Sequence, residues 1–362
     1  MAGSTSPKSP RSPKSQGSSP RATETEAAGP LGTALLEVDD NANDADSLAD
    51  TDSLRSETTS LASSVAKYRI ENGRRYHGYQ DGAYSFPNDD TENERLDLQH
   101  NLMCLTFDGK LHISPAGVDK PLHRVLDAGT GTGIWALDFA DEHPETQVLG
   151  NDLSPIQPSF VPPNLSFLVD DLEAPWAHGA KFDLIYARML TGSLLDWGKF
   201  AQQSFDNLNP GGWFEIVDMG TPSSDDGSLP EDSFIMQWSK NMLKAASIIG
   251  RSLDTVAAQP EFLREAGFTN IQKAVYKWPI NSWPKDPKYK EIGVWSHENM
   301  SGGLQAFSLA LFTRVLNWSA EEVEIFIANV RKDLRNRSYH AYWPIVVTYG
   351  QKPEGASEPT AA

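Results

Sequence analysis

The residues Val125-Leu126-Asp127-Ala128-Gly129-Thr130-Gly131-Thr132-Gly133-Ile134-Trp135 join a short apolar run to an acidic residue, three alternate glycines and a helix-compatible stretch. Gly129, Gly131 and Gly133 let a backbone turn sharply and approach a ligand with no Cβ in the way. A helix starting behind them presents unpaired N–H groups and a positive dipole end. Two ligand classes use such a loop. Dinucleotides require G-x-G-x-x-G, with the pyrophosphate on the helix N-terminus. Here the spacing is G-x-G-x-G, and Ile134 stands where the third dinucleotide glycine would fall. Asp127 at the mouth of the loop repels a pyrophosphate and suits the ammonium of a methionine moiety. Spacing and charge together favour S-adenosylmethionine over NAD; a glycine-rich turn with no ligand is the remaining alternative.

Further acidic residues follow at the ends of later apolar runs. Asp152 comes 19 residues after Gly133, where a carboxylate binds ribose hydroxyls in this class of fold, or is simply a solvated loop acid. Asp170 and Asp171 follow the third run, and one of them is placed to accept an adenine amino group. Arg188 ends the fourth run, where it contacts cofactor or substrate, or pairs with a carboxylate. A general base is needed only if the methyl acceptor keeps its proton at neutral pH. The candidates are His100 and His77 in an aromatic block upstream, and Glu215 and Asp218 near the end of the fifth run; groups of this kind are more often structural hydrogen-bonding groups. No His/Cys cluster has zinc-like spacing, so no metal is expected, and neither a G-x-S-x-G elbow nor a Walker loop occurs.

The elements that must position these residues alternate between β-rich runs and amphipathic stretches. Strands are predicted at 123–127, 147–151, 165–169, 182–187 and 213–218, with later ones at 271–276 and 345–349. Helices are predicted at 134–142, with Ile134, Leu137 and Ala140 on one face, at 197–208, and at 255–266. The second is stopped by Asn209-Pro210-Gly211-Gly212. This alternation predicts an α/β, Rossmann-like sheet of seven mostly parallel strands, with one antiparallel strand near the C-terminus. The main domain is expected at 116–352, interrupted by helical insertions near 225–250 and 285–340 that build a substrate pocket. The first carries Phe234, Trp238, Leu243 and Ala246 facing inward. The second starts a helix with a Ser319–Glu322 capping box and a Trp318–Val323 staple. Trp278, Trp283, Trp295, Trp318 and Trp343 are expected mostly in the core, with one or two lining an aromatic acceptor pocket. Residues 66–115 are expected to be an N-terminal helical segment, its part at 84–97 closing over the cofactor as a lid. Residues 1–65, Ser/Pro-rich and then acidic, have too few apolar groups to offset the entropy of ordering and are expected to be disordered.

Composition limits the rest. The chain has 362 residues and a formal charge of −18, which argues against direct nucleic-acid binding. A single cysteine, Cys104, excludes an internal disulfide and fits a reducing compartment, cytoplasm or nucleus. Its apolar neighbours suggest a buried structural thiol. No run of apolar residues is long enough to cross a membrane, and the N-terminus does not read as a secretory signal.

Residues 76 to about 350 resemble the fungal LaeA-like family of methyltransferases. The resemblance rests on His77-Gly78-Tyr79, Phe86-Pro87-Asn88-Asp89 with Tyr84 before it, Glu94-Arg95-Leu96-Asp97-Leu98 with His100, and the stretch from Asp127 to Trp135. It continues in Asp152-Leu153-Ser154-Pro155-Ile156-Gln157-Pro158, Glu173-Ala174-Pro175-Trp176 and Pro210-Gly211-Gly212-Trp213-Phe214-Glu215. It implies a class I fold, S-adenosylmethionine as cofactor and a metabolite or protein as methyl acceptor. The role would be that of a tailoring enzyme or of a regulator of secondary metabolism; regulatory members act in the nucleus with velvet-type partners. The alternative is a non-catalytic scaffold of the same fold, whose mark would be a broken cofactor loop; here Asp127, the three glycines and Asp152 are intact.

Overall fold

The computed structural model describes residues 36–39, 68–77 and 85–355. The expected disordered tail thus falls outside the described residues, except for 36–39, which are docked. Val38 bridges Pro284, and Glu37 pairs with Lys285 at 3.0 Å. Leu36 and Val38 pack on the core while Asp39 pairs with Lys290. Gly78, Tyr79 and Tyr84 also lie outside the described residues.

The segment expected to be helical opens instead with a hairpin, β1 (Arg69–Glu71) and β2 (Arg74–Tyr76). Asn72 and Gly73 join the strands at φ of 50° and 78°, the two positive values that a tight hairpin turn demands and that Asn-Gly supplies. Then comes α1 (Asp90–Thr106), whose N-cap Asp89 accepts from the Glu92 amide. Arg74 forks onto the same carboxylate at 2.5 and 2.9 Å, tying hairpin to helix.

The α/β unit runs β3 (Arg124–Ala128), α2 (Ile134–Glu142), β4 (Gln147–Asp152), β5 (Leu165–Val169), β6 (Phe182–Arg188), α3 (Trp197–Asn207) and β7 (Leu208–Met219). Next are β8 (Ser223–Ser224), α4 (Phe234–Ile248), α5 (Gln259–Glu265), β9 (Thr269–Pro279), α6 (Pro287–Arg314), α7 (Ala320–Arg335) and β10 (Ala341–Gln351). Strand order is β5-β4-β3-β6-β7-β10-β9, with β8 a two-residue addition to β10 on its β7 side. The first five lanes are parallel, and β10 runs antiparallel to both β7 and β9. This is the expected Rossmann-like class I sheet of seven lanes with one reversed strand. The Asn209–Gly212 turn lies inside β7 as a bulge, where Phe182 pairs with Leu208 but Leu184 pairs with Trp213.

Parallel strands are buried on both faces, so each face has its own core. On one, Trp135 stacks on Tyr186 at 4.1 Å and 7°, with Val125, Phe139 and Val217 around them. The buried face of α2 is therefore Trp135, Ala136, Phe139 and Ala140; Ile134 and Leu137 are only partly covered. On the other, Leu126, Ile185, Phe214 and Ile216 pack against Trp197 and Phe200 of α3 and Leu263 of α5. The insertions form the expected helices, with the Ser319–Glu322 capping box in place. The inward face of α4 is rotated from expectation: Ile235, Trp238, Met242, Ala245 and Ala246 are buried and Phe234 is exposed.

Candidate functional site

The carboxyl ends of β3, β4, β5 and β6 meet the glycine loop at the crevice where open α/β sheets bind ligands. Gly129, Gly131 and Gly133 have φ of 73°, 60° and 84°, a region that other L-residues enter only at a cost. A Cβ on Gly133 would lie 2.5 Å from Phe167 Cζ, so this glycine is needed for packing. A Cβ on Gly131 would meet only Leu96, at 3.7 Å, and Gly131 lines a cavity of about 230 Å³. Here the missing side chain leaves the cavity open.

Asp152 shapes the loop. Its Oδ2 accepts from the Gly131 amide and its Oδ1 from the Ser154 amide, both at 2.9 Å. Burial raises its pKa, opposed by these backbone donors. Gln157 donates to the Gly131 carbonyl at 2.7 Å, which accounts physically for the Ser154–Pro158 stretch: it buckles β4 to the glycine loop. Asp170 and Asp171 line the same cavity, each spending one oxygen on a backbone amide just ahead. Asp127 is placed differently. It is buried beneath the loop, takes the Thr130 hydroxyl at 2.5 Å and is not part of the cavity wall. Burial pushes its pKa up to about 6, against the nearby Arg188 charge.

Helix α1 closes the crevice from above. Thr132 donates to Asp97 at 2.7 Å, latching helix to loop, and Asn88 donates to the Ser154 hydroxyl at 3.3 Å. Glu92 and Arg95 form a buried fork at 2.7 Å on the cavity wall. The amide oxygens of Asn88 and Asn93, both lining residues, are buried with no hydrogen-bond partner. The cavity then extends to Trp238, Met242, Leu243, Phe307 and Trp343, from the two insertions and β10. Of the tryptophans expected in core or pocket, Trp343 lines the cavity, Trp278 and Trp283 are in the core and Trp295 is exposed. Trp238, assigned from the sequence only to an inward helix face, lines it too.

None of His77, His100, Glu215 and Asp218 reaches the cavity wall. His100 is buried between Asp138, 2.7 Å from Nε2, and Arg188, 2.8 Å from Nδ1. His77 is buried near Asp152. Glu215, fully buried in the sheet row of Asp127 and Tyr186, accepts from the amides of Ile113 and Ser114 at 2.6–3.0 Å. Asp218 accepts from the Thr191 amide at 3.0 Å and from Gln259 at 2.9 Å. The sequence assigned Asn88, Glu92 and Asn93 no role beyond membership of the 84–97 lid segment, and Ser154 none beyond the family motif; only the i, i+3 spacing of Glu92 and Arg95 could have flagged that pair.

These surroundings fit a methionine–ribose–adenine ligand: a Cβ-free loop, and carboxylates at the ends of β4 and β5 lining one cavity with it. Comparison with known proteins agrees. A family model described as a methyltransferase domain matches residues 98–273. The chain is 43% identical over 320 residues to the methyltransferase pytC of Aspergillus terreus, covering 88% of this chain and 96% of that protein. It is 39% identical over 291 residues to the secondary metabolism regulator LAE1 of Cochliobolus heterostrophus, covering 79% and 95%. The protein-methionine methyltransferase laeA of Emericella nidulans is 35% identical over 296 residues, covering 79% and 77%. Solved structures lie further off; Haemonchus contortus phosphoethanolamine N-methyltransferase 2 shares 18% identity at a TM-score of 0.44, covering 76% and 59%. With relatives at these identities over most of their length, the chain belongs to the fungal LaeA- and pytC-like family of class I S-adenosylmethionine-dependent methyltransferases.

Proposed function

We propose that the chain binds S-adenosylmethionine in this cavity and methylates an apolar acceptor seated between Trp238, Met242, Phe307 and Trp343. The observation that supports this most is continuity: one cavity runs from the glycine loop to that aromatic chamber. When bound, the cofactor supplies a sulfonium methyl group open to in-line displacement. Asp152 keeps lone pairs for ribose hydroxyls after holding Gly131 and Ser154, and Asp170 or Asp171 has a free oxygen for the adenine amino group. Helix α1, latched by Thr132 and Asp97, excludes water.

Among the described residues no histidine, lysine, tyrosine or cysteine lines the cavity, and Glu92 and Glu173 are paired with Arg95 and Arg251. Catalysis on this reading is positioning and desolvation, and the acceptor arrives already nucleophilic. We place the activity in the cytoplasm or nucleus, where the half-buried thiol of Cys104 stays reduced.

The test is transfer of labelled methyl from S-adenosylmethionine into fungal culture extract by wild-type protein and by Gly131→Val. Label in organic-soluble material, absent with the variant, supports a tailoring enzyme; label in protein supports a protein acceptor. Protein that binds the cofactor yet transfers nothing to either fraction would favour the scaffold reading.

A further inference from the structure

Arg188 ends β6 one residue beyond the Ala128–Ala187 pair, at the level of Gly129, and lines the cavity. The other arginine on that wall, Arg95, is neutralised by Glu92 and also donates to Asn299 at 2.6 Å. Arg188 has no such partner: among the described residues its guanidinium makes one hydrogen bond, to His100, and no carboxylate lies within 4.0 Å of it. A guanidinium carries five N–H donors and does not give up its proton in proteins. Half-buried beside the glycine loop, it lacks an anion.

The His100 contact is informative because arginine can only donate. His100 Nδ1 must therefore be the bare lone pair, and its proton sits on Nε2, donated to Asp138 Oδ2 at 2.7 Å. Burial and then the Arg188 charge hold the His100 pKa below the ordinary imidazole range, against the pull of Asp138 and of Asp97 on its own helix. A carboxylate at position 100 would orient the guanidinium and cancel its charge. A neutral imidazole orients it and leaves the charge available.

Resting on the reading that the cavity takes S-adenosylmethionine, we propose that Arg188 grips the α-carboxylate of its methionine moiety and that neutral His100 is the residue that aims Arg188. Asn88 and Asn93 line the same cavity, and their amide oxygens are buried without a hydrogen-bond partner. Asp127, held by Thr130 beneath the loop, tempers the Arg188 charge without pairing with it. A planar fork matches a carboxylate in two parallel bonds, which lysine cannot reproduce.

The experiment titrates full-length protein with S-adenosylhomocysteine and with 5′-methylthioadenosine, which keeps the adenosine and sulfur but lacks the amino acid. In Arg188→Gln, the Kd for S-adenosylhomocysteine should rise about 10- to 100-fold while that for methylthioadenosine stays within about twofold. Arg188→Lys should fall between. His100→Phe should shift the same ligand selectively and by less; should it fail to fold, the two Arg188 variants still decide. An equal rise for both ligands, or no rise for either, overturns the proposal. Wild-type protein that binds neither ligand removes the cofactor reading, and this proposal with it.

Discussion

Replacing Gly131 and Gly133 by alanine, one at a time, should separate ligand approach from folding within a single loop. At Gly131 the added Cβ meets only Leu96, at 3.7 Å, and stands in the cavity. Its cost to the fold is the left-handed backbone alone, about 1–2 kcal/mol, partly offset by the stiffer unfolded chain. At Gly133 the Cβ lies 2.5 and 2.9 Å from two Phe167 ring atoms. That ring cannot retreat freely, because it already sits over Gly150, whose own Cβ would be 2.7 Å away. Overpacking adds about 1–3 kcal/mol to the backbone strain, so Gly133→Ala should lose about 2–5 kcal/mol. Thermal denaturation and S-adenosylhomocysteine titration read the two effects. Gly131→Ala should melt within about 4 °C of wild type and bind at least about tenfold more weakly. Gly133→Ala should lower the Tm by appreciably more. A folded Gly131→Ala that binds like wild type would refute the reasoning that the loop's free face meets the ligand.

Other consequences follow from the buried carboxylates. Burial pushes the Asp218 pKa from 3.8 up to about 7, so the native state holds a proton that the unfolded chain has lost. Its contribution is intact below pH 3.8 and falls as pH rises through 7, by up to about 4 kcal/mol. Asp218→Asn, with the Gln259 amide reversed against the Thr348 hydroxyl, should flatten that decline. Urea denaturation of both proteins at pH 5 and pH 8 tests this, and parallel losses would contradict it. Glu215→Gln weakens the clamp on Ile113 and Ser114, so the Tm should drop by several degrees while the Kd for S-adenosylhomocysteine stays within about twofold. A lost activity with an unchanged Tm would return Glu215 to the role of base.

How much was legible in the sequence depended on the range of the forces involved. The β3–loop–α2 unit is local: an apolar run, alternate glycines and a helical repeat lie within twenty residues, and α2 begins and ends where expected. The hairpin was missed because its Asn72-Gly73 turn is flanked by Arg69, Arg74 and Arg75 instead of alternating apolar residues. The inner face of α4 was misjudged because its partners, α6 and α7, come from later in the chain. Strand ends alone pointed to Asp152, Asp170 and Asp171, and all three line the cavity. Asp127 and Glu215 could not be placed in this way: both read as site acids, yet one lies beneath the loop on Thr130 and the other clamps amides about a hundred positions upstream. The His100–Arg188 contact joins residues 88 apart, and nothing in the local pattern pairs them.

The most direct test of the account is calorimetric titration of full-length wild-type protein with S-adenosylmethionine, beside Gly131→Val and with NADH as control. Saturable one-to-one binding at a Kd of about 1–100 μM, abolished in the variant and absent for NADH, is the predicted result. No heat and no shift in melting temperature from folded wild-type protein would contradict it, and so would binding of NADH in its place.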